Sequence, residues 1–318
     1  MTLDVLIPVH NAADTLAQAV QSALDIPGAR VILVDDGSTD GSGALCDEWA
    51  REHRVQVLHQ PNRGVSAARN AAMAQASAPF VTFLDADDVL LPAMGAMPDA
   101  MGRTDAAQGL TVKSGGTNAP ELPAMTLQPG RDALAAALED PTRHLHLHGW
   151  IFRRELLTER FDEALSLGED GEWMLRTLSH ARMTGQYAAP VYRYTLRMDS
   201  AVHAANDAEG KYLQTLQAAQ PTLSAMKLPA QAALYRLTHL LLILTHGVCR
   251  SCGMLTQCRA IARLRGTEPF RLSFREARLT GHSPRIWTLR LLRWRLYPLV
   301  WLAVKYRQRS NRKQSNKS

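Results

Sequence analysis

The chain has 318 residues, 46% of them hydrophobic, enough to bury an ample core as one large domain or two smaller ones. Its four cysteines (Cys46, Cys249, Cys252 and Cys258) suggest no disulfide framework, and Cys249-x-x-Cys252 with Cys258 shows no evident fourth ligand at metal-site spacing, so they read as reduced cytosolic thiols. The net charge of +6 is uneven, because Ala277 to Ser318 carries eleven Arg or Lys and no Asp or Glu, and no nucleic-acid reading module accompanies that charge.

Leu3 to Val9 reads as a buried strand, ended by Pro8 and the polar pair His10-Asn11. Leu16, Val20 and Leu24 then share one helical face, with Asp14 or Thr15 placed to cap it. A second apolar run, Val31 to Val34, stops at Asp35-Asp36-Gly37-Ser38-Thr39-Asp40, and a second helix runs through Leu45 and Trp49. Val55 to Leu58 is a third strand, Gln60-Pro61-Asn62-Arg63-Gly64 a loop, and Ser66 to Ala76 an Ala-rich helix. The fourth strand, Phe80-Val81-Thr82-Phe83-Leu84, delivers Asp85-Ala86-Asp87-Asp88. Strands alternating with helices imply right-handed crossovers and a mainly parallel sheet. The polar clusters after the first, second and fourth strands then share one edge, where ligands bind in open α/β sheets. Spaced carboxylates at that edge offer oxygen ligands suited to Mg²⁺ or Mn²⁺ and a substrate diphosphate.

Four segments carry a family resemblance. They are Ile7-Pro8-Val9-His10-Asn11, Val34 to Asp40, Asn62-Arg63-Gly64-Val65-Ser66-Ala67-Ala68-Arg69-Asn70, and Phe83 to Asp88. In this order and spacing they resemble the nucleotide-binding half of family 2 glycosyltransferases, of the type that builds bacterial cell-surface polysaccharides. The resemblance is close over residues 1 to 95 and looser over 145 to 205. It implies a GT-A fold, Rossmann-like and α/β, with residues 1–100 as the donor half, 101–205 as the acceptor half of the same domain, and 206–318 as a helical extension.

The resemblance also implies roles. Pro8, Val9, Asn11, Asp35, Asp36, Arg69, Asp85 and Ala86 are expected to bind a nucleotide-sugar donor, with UDP the expected nucleotide. Asp35 or Asp36 would accept a hydrogen bond from the base, Arg69 would sit near base or phosphates, and Asp85 would face the sugar or ribose. Asp87, the second carboxylate of the D-x-D, is the expected ligand of Mn²⁺ or Mg²⁺. Phe161-Asp162-Glu163 followed by Gly168-Glu169-Asp170 supplies the catalytic carboxylate. Asp170 would take the acceptor proton as general base, with Glu169 in support, and the pair would open a helix, where negative charge is stabilised. Arg197 and His203 lie where similar enzymes close a segment over the diphosphate; Arg197 could neutralise phosphate and His203 supply a late metal ligand. The implied reaction is transfer with inversion to a hydroxyl of a glycan or lipid-linked acceptor. Two rivals are a nucleotidyltransferase, which would want a basic, glycine-rich phosphate loop where Pro8-Val9-His10-Asn11-Ala12 stands, and a non-catalytic nucleotide-sugar-binding protein recruited to membranes.

His144, His146 and His148 alternate before Gly149-Trp150 and are expected on the polar face of a strand. Met94 to Pro129 has no clear period, with Lys113 to Asn118 a loop; Asp132 to Leu138 reads as helix, and Gly149 to Leu157 resembles the strand and helix that frame the acceptor side in similar enzymes. Leu234, Leu237, Leu241 and Leu244 mark a helix in the extension. In the basic tail, Trp287, Trp294 and Trp301 are spaced by seven, close to one helical stripe. The apolar run Leu296 to Val304 is broken by Pro298 and far short of the ~20 residues of a membrane span. Tryptophan mixed with arginine instead suggests the surface of an anionic membrane. The chain starts with a strand containing Asp4 and not with a secretory signal, so the enzyme is expected to be cytoplasmic, with peripheral attachment to the inner face of the membrane.

Overall fold

The structure is a computed structural model that describes residues 2–113, 124–195, 207–249 and 253–315, with side chains to Arg309. The chain divides into two compact units. One is an α/β unit of residues up to Ala133 and from His146 to Thr195; the other is a helical unit of Leu134–Leu145 and the described residues beyond 206. Residues 134–145 therefore group with the helices.

In the α/β unit, β1 (Leu3–Val9) is buried at every position. Buried parallel strands read as unbroken apolar runs, and the exception, Asp4, is neutralised in place. Its carboxylate takes two hydrogen bonds from Arg30, at 2.9 and 3.0 Å, and two from the backbone N–H groups of Ser77 and Ala78. Helix α1 (Leu16–Leu24) leads to β2 (Ala29–Asp36), α2 (Ser42–Trp49) to β3 (Val55–Gln60), and α3 (Val65–Gln75) to β4 (Phe80–Phe83). All four strands are parallel, in the order β3-β2-β1-β4. Their C-terminal ends accordingly lie on one edge. β4 pairs only with Leu3–Leu6 of β1, so Pro8 falls beyond that register and its missing N–H breaks no ladder bond on that side. Buried Ala67, Ala68 and Ala72 on α3 let that helix lie close on β1 and β2.

The second half of the sheet is mixed. β5 (Val89–Leu90) is followed by a 3₁₀ turn (Pro92–Ala96) and α4 (Met97–Ala100), then β6 (Ala106–Lys113), β7 (Met125–Pro129) and α5 (Gly130–Glu139). After α6 (Pro141–His144) come β8 (Trp150–Arg153), a 3₁₀ turn (Arg154–Leu156), α7 (Glu169–Ser179) and β9 (Met183–Tyr194). β8 is antiparallel to both β4 and β6; β6 is parallel to β9, and β5 and β7 are antiparallel to it. Phe83, Phe152, Phe161 and Trp173 pack on one another, with Phe161 and Trp173 stacked at 4.5 Å. That cluster fixes the start of α7 beside the end of β4.

The histidine alternation is not a strand. His144 ends α6, and His146 and His148 lie in a bend and turn before β8. Leu145 and Leu147 are buried between half-exposed histidines, so an irregular segment anchored at alternate residues imitates a period of two.

The helical unit contains α8 (Ala208–Ala225), α9 (Pro229–Ile243), a π-helical turn (Leu244–Val248), α10 (Met254–Gly266), α11 (Phe270–Glu276), α12 (Pro284–Arg293) and α13 (Tyr297–Ser315). Leu234, Leu237 and Leu241 are buried along α9, while Leu244 begins the π turn. The three tryptophans do not form one stripe. The chain breaks between α12 and α13, where Arg295 has a positive φ of 60° and Pro298 opens the next helix. Trp287 and Trp294 are exposed, whereas Trp301 is half-buried and donates its ring N–H to Gln257. Among the described residues no helix is long and apolar enough to cross a membrane.

Candidate active site

The acidic turn after β4 meets three other segments of the α/β unit. Arg69, on α3, is buried and uses both terminal nitrogens: one donates to Glu169 at 3.0 Å, the other to Asp85 at 3.2 Å. Arg69 is therefore placed among carboxylates of the acidic turn and of α7. Burial works against its charge, but Asp85, Glu169 and Asp170 together hold it firmly protonated.

The other oxygen of Asp85 faces His148 Nε2 at 3.4 Å. Gly149 gives the turn that aims His148 this way: its φ is +74°, and an added Cβ would lie 3.1 Å from the Gly109 carbonyl oxygen. His148 stacks on Tyr192 at 4.9 Å and leans on Tyr194 at 5.1 Å. Burial opposes the imidazolium, but the hydrogen bond and charge of Asp85 outweigh it and raise the His148 pKa. Burial likewise opposes the Asp85 carboxylate, which His148 and Arg69 nonetheless hold well below the usual range.

Asp88 is nearly inaccessible. It accepts from the Tyr192 hydroxyl and from the Thr195 backbone N–H, each at 2.7 Å. The same hydroxyl accepts from the Asp85 backbone N–H at 3.3 Å, so Tyr192 ties β9 to the acidic turn. Burial is the main reason that the Asp88 pKa rises to about 7. Ligand atoms of Asp85, Asp88 and His148 lie within 4.8 Å of one another. Carboxylate oxygens with one imidazole form a donor set compatible with Mg²⁺ or Mn²⁺. Asp87 is half-buried on the same turn, and its charge, after burial and Asp88, helps to raise the Tyr194 pKa.

Glu169 and Asp170 open α7, behind Gly168 at φ +76°. Asp170 accepts from the Gly171 N–H at 2.7 Å. Burial first, and then the charge of Glu169, push its pKa up to about 6; Arg69 and His148 pull the other way. The segment leading to α7 is docked on α3 by a neighbour of Arg69. The Asn70 amide donates to the Phe161 carbonyl at 3.0 Å and to Glu163 at 3.1 Å, and accepts from the Phe161 N–H at 2.8 Å. Arg63 adds a 2.8 Å bond to Glu163. The Asn62–Asn70 and Phe161–Asp170 motifs are thus two sides of one joint.

At the ends of β1 and β2, Pro8 and Val9 close the first strand, and Asn11 adopts φ 50°. Its N–H donates to Ser38 at 3.1 Å, and its side-chain oxygen accepts from the Thr39 N–H at 2.8 Å. Asp35 accepts from the Ser38 N–H at 3.1 Å and pairs with His59 at 3.0 Å. Asp36 accepts from Gln60 at 2.7 Å and from the N–H groups of Arg63 and Gly64, both at 2.8 Å. Both carboxylates are thus engaged by the chain itself and brace the turns around them. Ala86 is buried. The structure brings Arg69, Asp85, Glu169 and Asp170 together and sets Asp35 and Asp36 in a separate braced cluster. Arg197 and His203, like Cys252 and residues 114–118, lie outside the described residues.

The sequence alone assigns no role to Asp88, Asn70 or Tyr192 and puts His148 on a strand face. Asp88 and Asn70 lie inside the recognised motifs, beside the residues that were assigned roles. Nothing in the spacing of Tyr192 signalled its reach of more than 100 residues to Asp88.

Residues 4–161 match the family model described as Glycosyl transferase family 2. The chain belongs to glycosyl transferase family 2. Over 92 residues it is 38% identical to the glycosyltransferase GlyG of Streptococcus pneumoniae serotype 4, an alignment that spans 28% of this chain and 31% of that protein. It is 45% identical, also over 92 residues, to the succinoglycan biosynthesis protein ExoU of Rhizobium meliloti, spanning 28% and 27%. The chain therefore covers less than a third of the length of either relative. The crystal structure of S. aureus TarS in complex with UDP-GlcNAc superposes with a TM-score of 0.71 at 17% identity, over 97% of this chain and 92% of that one. The fold is accordingly GT-A, with a helical C-terminal region.

Proposed function

We propose that this family 2 protein is an inverting glycosyltransferase of the cell envelope, moving a sugar from a nucleotide-sugar donor, UDP-linked by preference, to a hydroxyl of a glycan or lipid-linked acceptor. The observation that carries the reading is Asp170. It is a carboxylate with pKa near 6, at the head of a helix, in the same cluster as the acidic turn after β4. A base works best with a pKa close to the operating pH. The acceptor hydroxyl attacks the anomeric carbon and its proton passes to Asp170, while the bond to the diphosphate breaks and its electron pair leaves on the phosphate oxygen. Glu169, held by Arg69, keeps the base correctly presented.

The donor reading places the base and ribose at the ends of β1 and β2, among Pro8, Val9, Asn11, Asp35 and Asp36, and the sugar beside Asp85 and Ala86. Asp85, Asp87, Asp88 and His148 would hold a divalent cation, which when bound neutralises charge on the departing diphosphate. Arg197 and His203 belong to the same reading as groups that close over it. UDP-GlcNAc bound to TarS supports UDP as the nucleotide, and the succinoglycan role printed for ExoU supports a polysaccharide product. Work on the cytoplasmic side, with peripheral attachment to the inner membrane face, completes the reading. Screening UDP-, GDP- and TDP-sugars for Mn²⁺-dependent hydrolysis tests it: release of one nucleotide diphosphate supports the proposal, and turnover of none of the three overturns it.

A further inference from the structure

The last described helix, α13, is apolar on two opposite faces. Val300 and Val304, four residues apart, are buried. The reverse face carries Leu299, Leu302 and Tyr306, three or four residues apart and so stacked in one stripe. Leu302 is 53% exposed and Tyr306 77%. Trp294 and Leu296, in the turn before the helix, are exposed as well, the tryptophan at 59%. A helix that merely closes a soluble unit turns polar residues to solvent; contiguous exposed apolar surface marks an interaction site.

The charge around the stripe identifies the partner. Arg295, Arg307 and Arg309 are exposed on the same turn and helix. From Ala277 onward the chain has eleven basic residues and not one acidic residue. A protein partner would need a matching acidic apolar groove, whereas an anionic bilayer supplies both complements in one surface. Lys and Arg near such a surface are drawn to its negative potential, and Trp, Tyr and Leu settle at the headgroup boundary. Among the described residues no helix is long and apolar enough to go further and span the membrane.

We infer that the stripe formed by Trp294, Leu296, Leu299, Leu302 and Tyr306 seats this protein on an anionic lipid surface, with the flanking arginines over the headgroups. The inference deepens the proposed transfer reaction by giving its lipid-linked acceptor a place to be met, and in purpose it rests on that reading. Its test needs no sugar. The full chain is sedimented with phosphatidylcholine vesicles and with vesicles containing about 30% phosphatidylglycerol, at low and high salt, beside the double variant Leu299→Ser/Leu302→Ser. The expected result is binding to the anionic vesicles alone, weakened by salt, and at least ~10-fold weaker in the variant. The melting curve and UDP binding of the variant should match those of the parent, which separates a lost surface from a lost fold or donor site. Three results would each overturn the inference: no vesicle binding, equal binding to both vesicle types, or a dimer in sedimentation velocity that the double variant dissociates.

Discussion

Arg69 and Glu169 lie 100 residues apart in sequence and 3.0 Å apart in space. Their bond joins the recognised donor motif to the pair that opens α7, and it places a fixed cation beside Asp170. Replacing Arg69 with Met leaves Asp85 and Glu169 without their shared cation. Asp170 then loses the attraction that opposes the rise of its pKa. The acid limb of kcat/KM against pH should move upward by roughly one unit. An unmoved limb in a folded variant would show that Arg69 does not tune the base.

Asp170 itself gives the clearest pH signature. A base must be unprotonated to accept a proton, and burial has raised its pKa to about 6. Transfer should therefore climb as pH rises through about 6 and level off above it. Asp170→Asn should keep UDP affinity and lower transfer by at least ~100-fold. Near-normal turnover in that variant removes Asp170 from the chemistry.

The cation-binding reading is tested by calorimetry of UDP with and without Mn²⁺. Asp87→Ala should abolish the metal-dependent part of the affinity, and His148→Ala should weaken it by at least ~10-fold. If both variants retain the full Mn²⁺ effect, the cation is held elsewhere.

The Tyr192 hydroxyl donates a hydrogen bond to Asp88, a carboxylate that is 1% exposed, and accepts one from the Asp85 N–H. Tyr192→Phe keeps the ring stacked on His148 and deletes only this link. A buried acceptor that loses its partner costs about 2 kcal/mol. Urea denaturation should show that loss, and UDP binding should weaken with it because the acidic turn is no longer pinned to β9.

Asp4 provides a stability test far from chemistry. Asp4→Asn retains the shape but gives up charge-assisted bonds to Arg30 and to two backbone N–H groups. A loss of about 3 kcal/mol is expected, read as a lower urea midpoint at unchanged slope. Kinetic constants at a permissive temperature should stay near those of the parent.

β1, β2 and β4 were readable because parallel strands buried on both faces write themselves as short apolar runs, each stopped by polar residues. Leu3–Val9 and Phe80–Phe83 are of that kind. β6 is not: Ala106-Ala107-Gln108-Gly109 is buried yet has neither period nor bulk, and its register against β9 shifts at Gly109 and Leu110. Arg69, Asp85, Glu169 and Asp170 were legible as site residues because they sit in ordered motifs. Their mutual pairing was not, since spacing says nothing about which charges face each other. Hence the motif marks Arg69 as a site residue without revealing that it lies between two carboxylates. The tryptophan spacing misled for a local reason: a seven-residue period marks one stripe only if the helix is continuous, and Arg295 and Pro298 interrupt it.

The double docking of Arg69 and Asn70 limits how family members can be recombined. A chimaera that replaces this chain's first ninety-odd residues would remove Arg69 and Asn70, and the Phe161 carbonyl, Glu163 and Glu169 must then find partners on foreign sequence. Exchanges of donor preference should therefore succeed when the segment from Phe161 to Asp170 travels with the graft, and yield inactive hybrids when it stays behind.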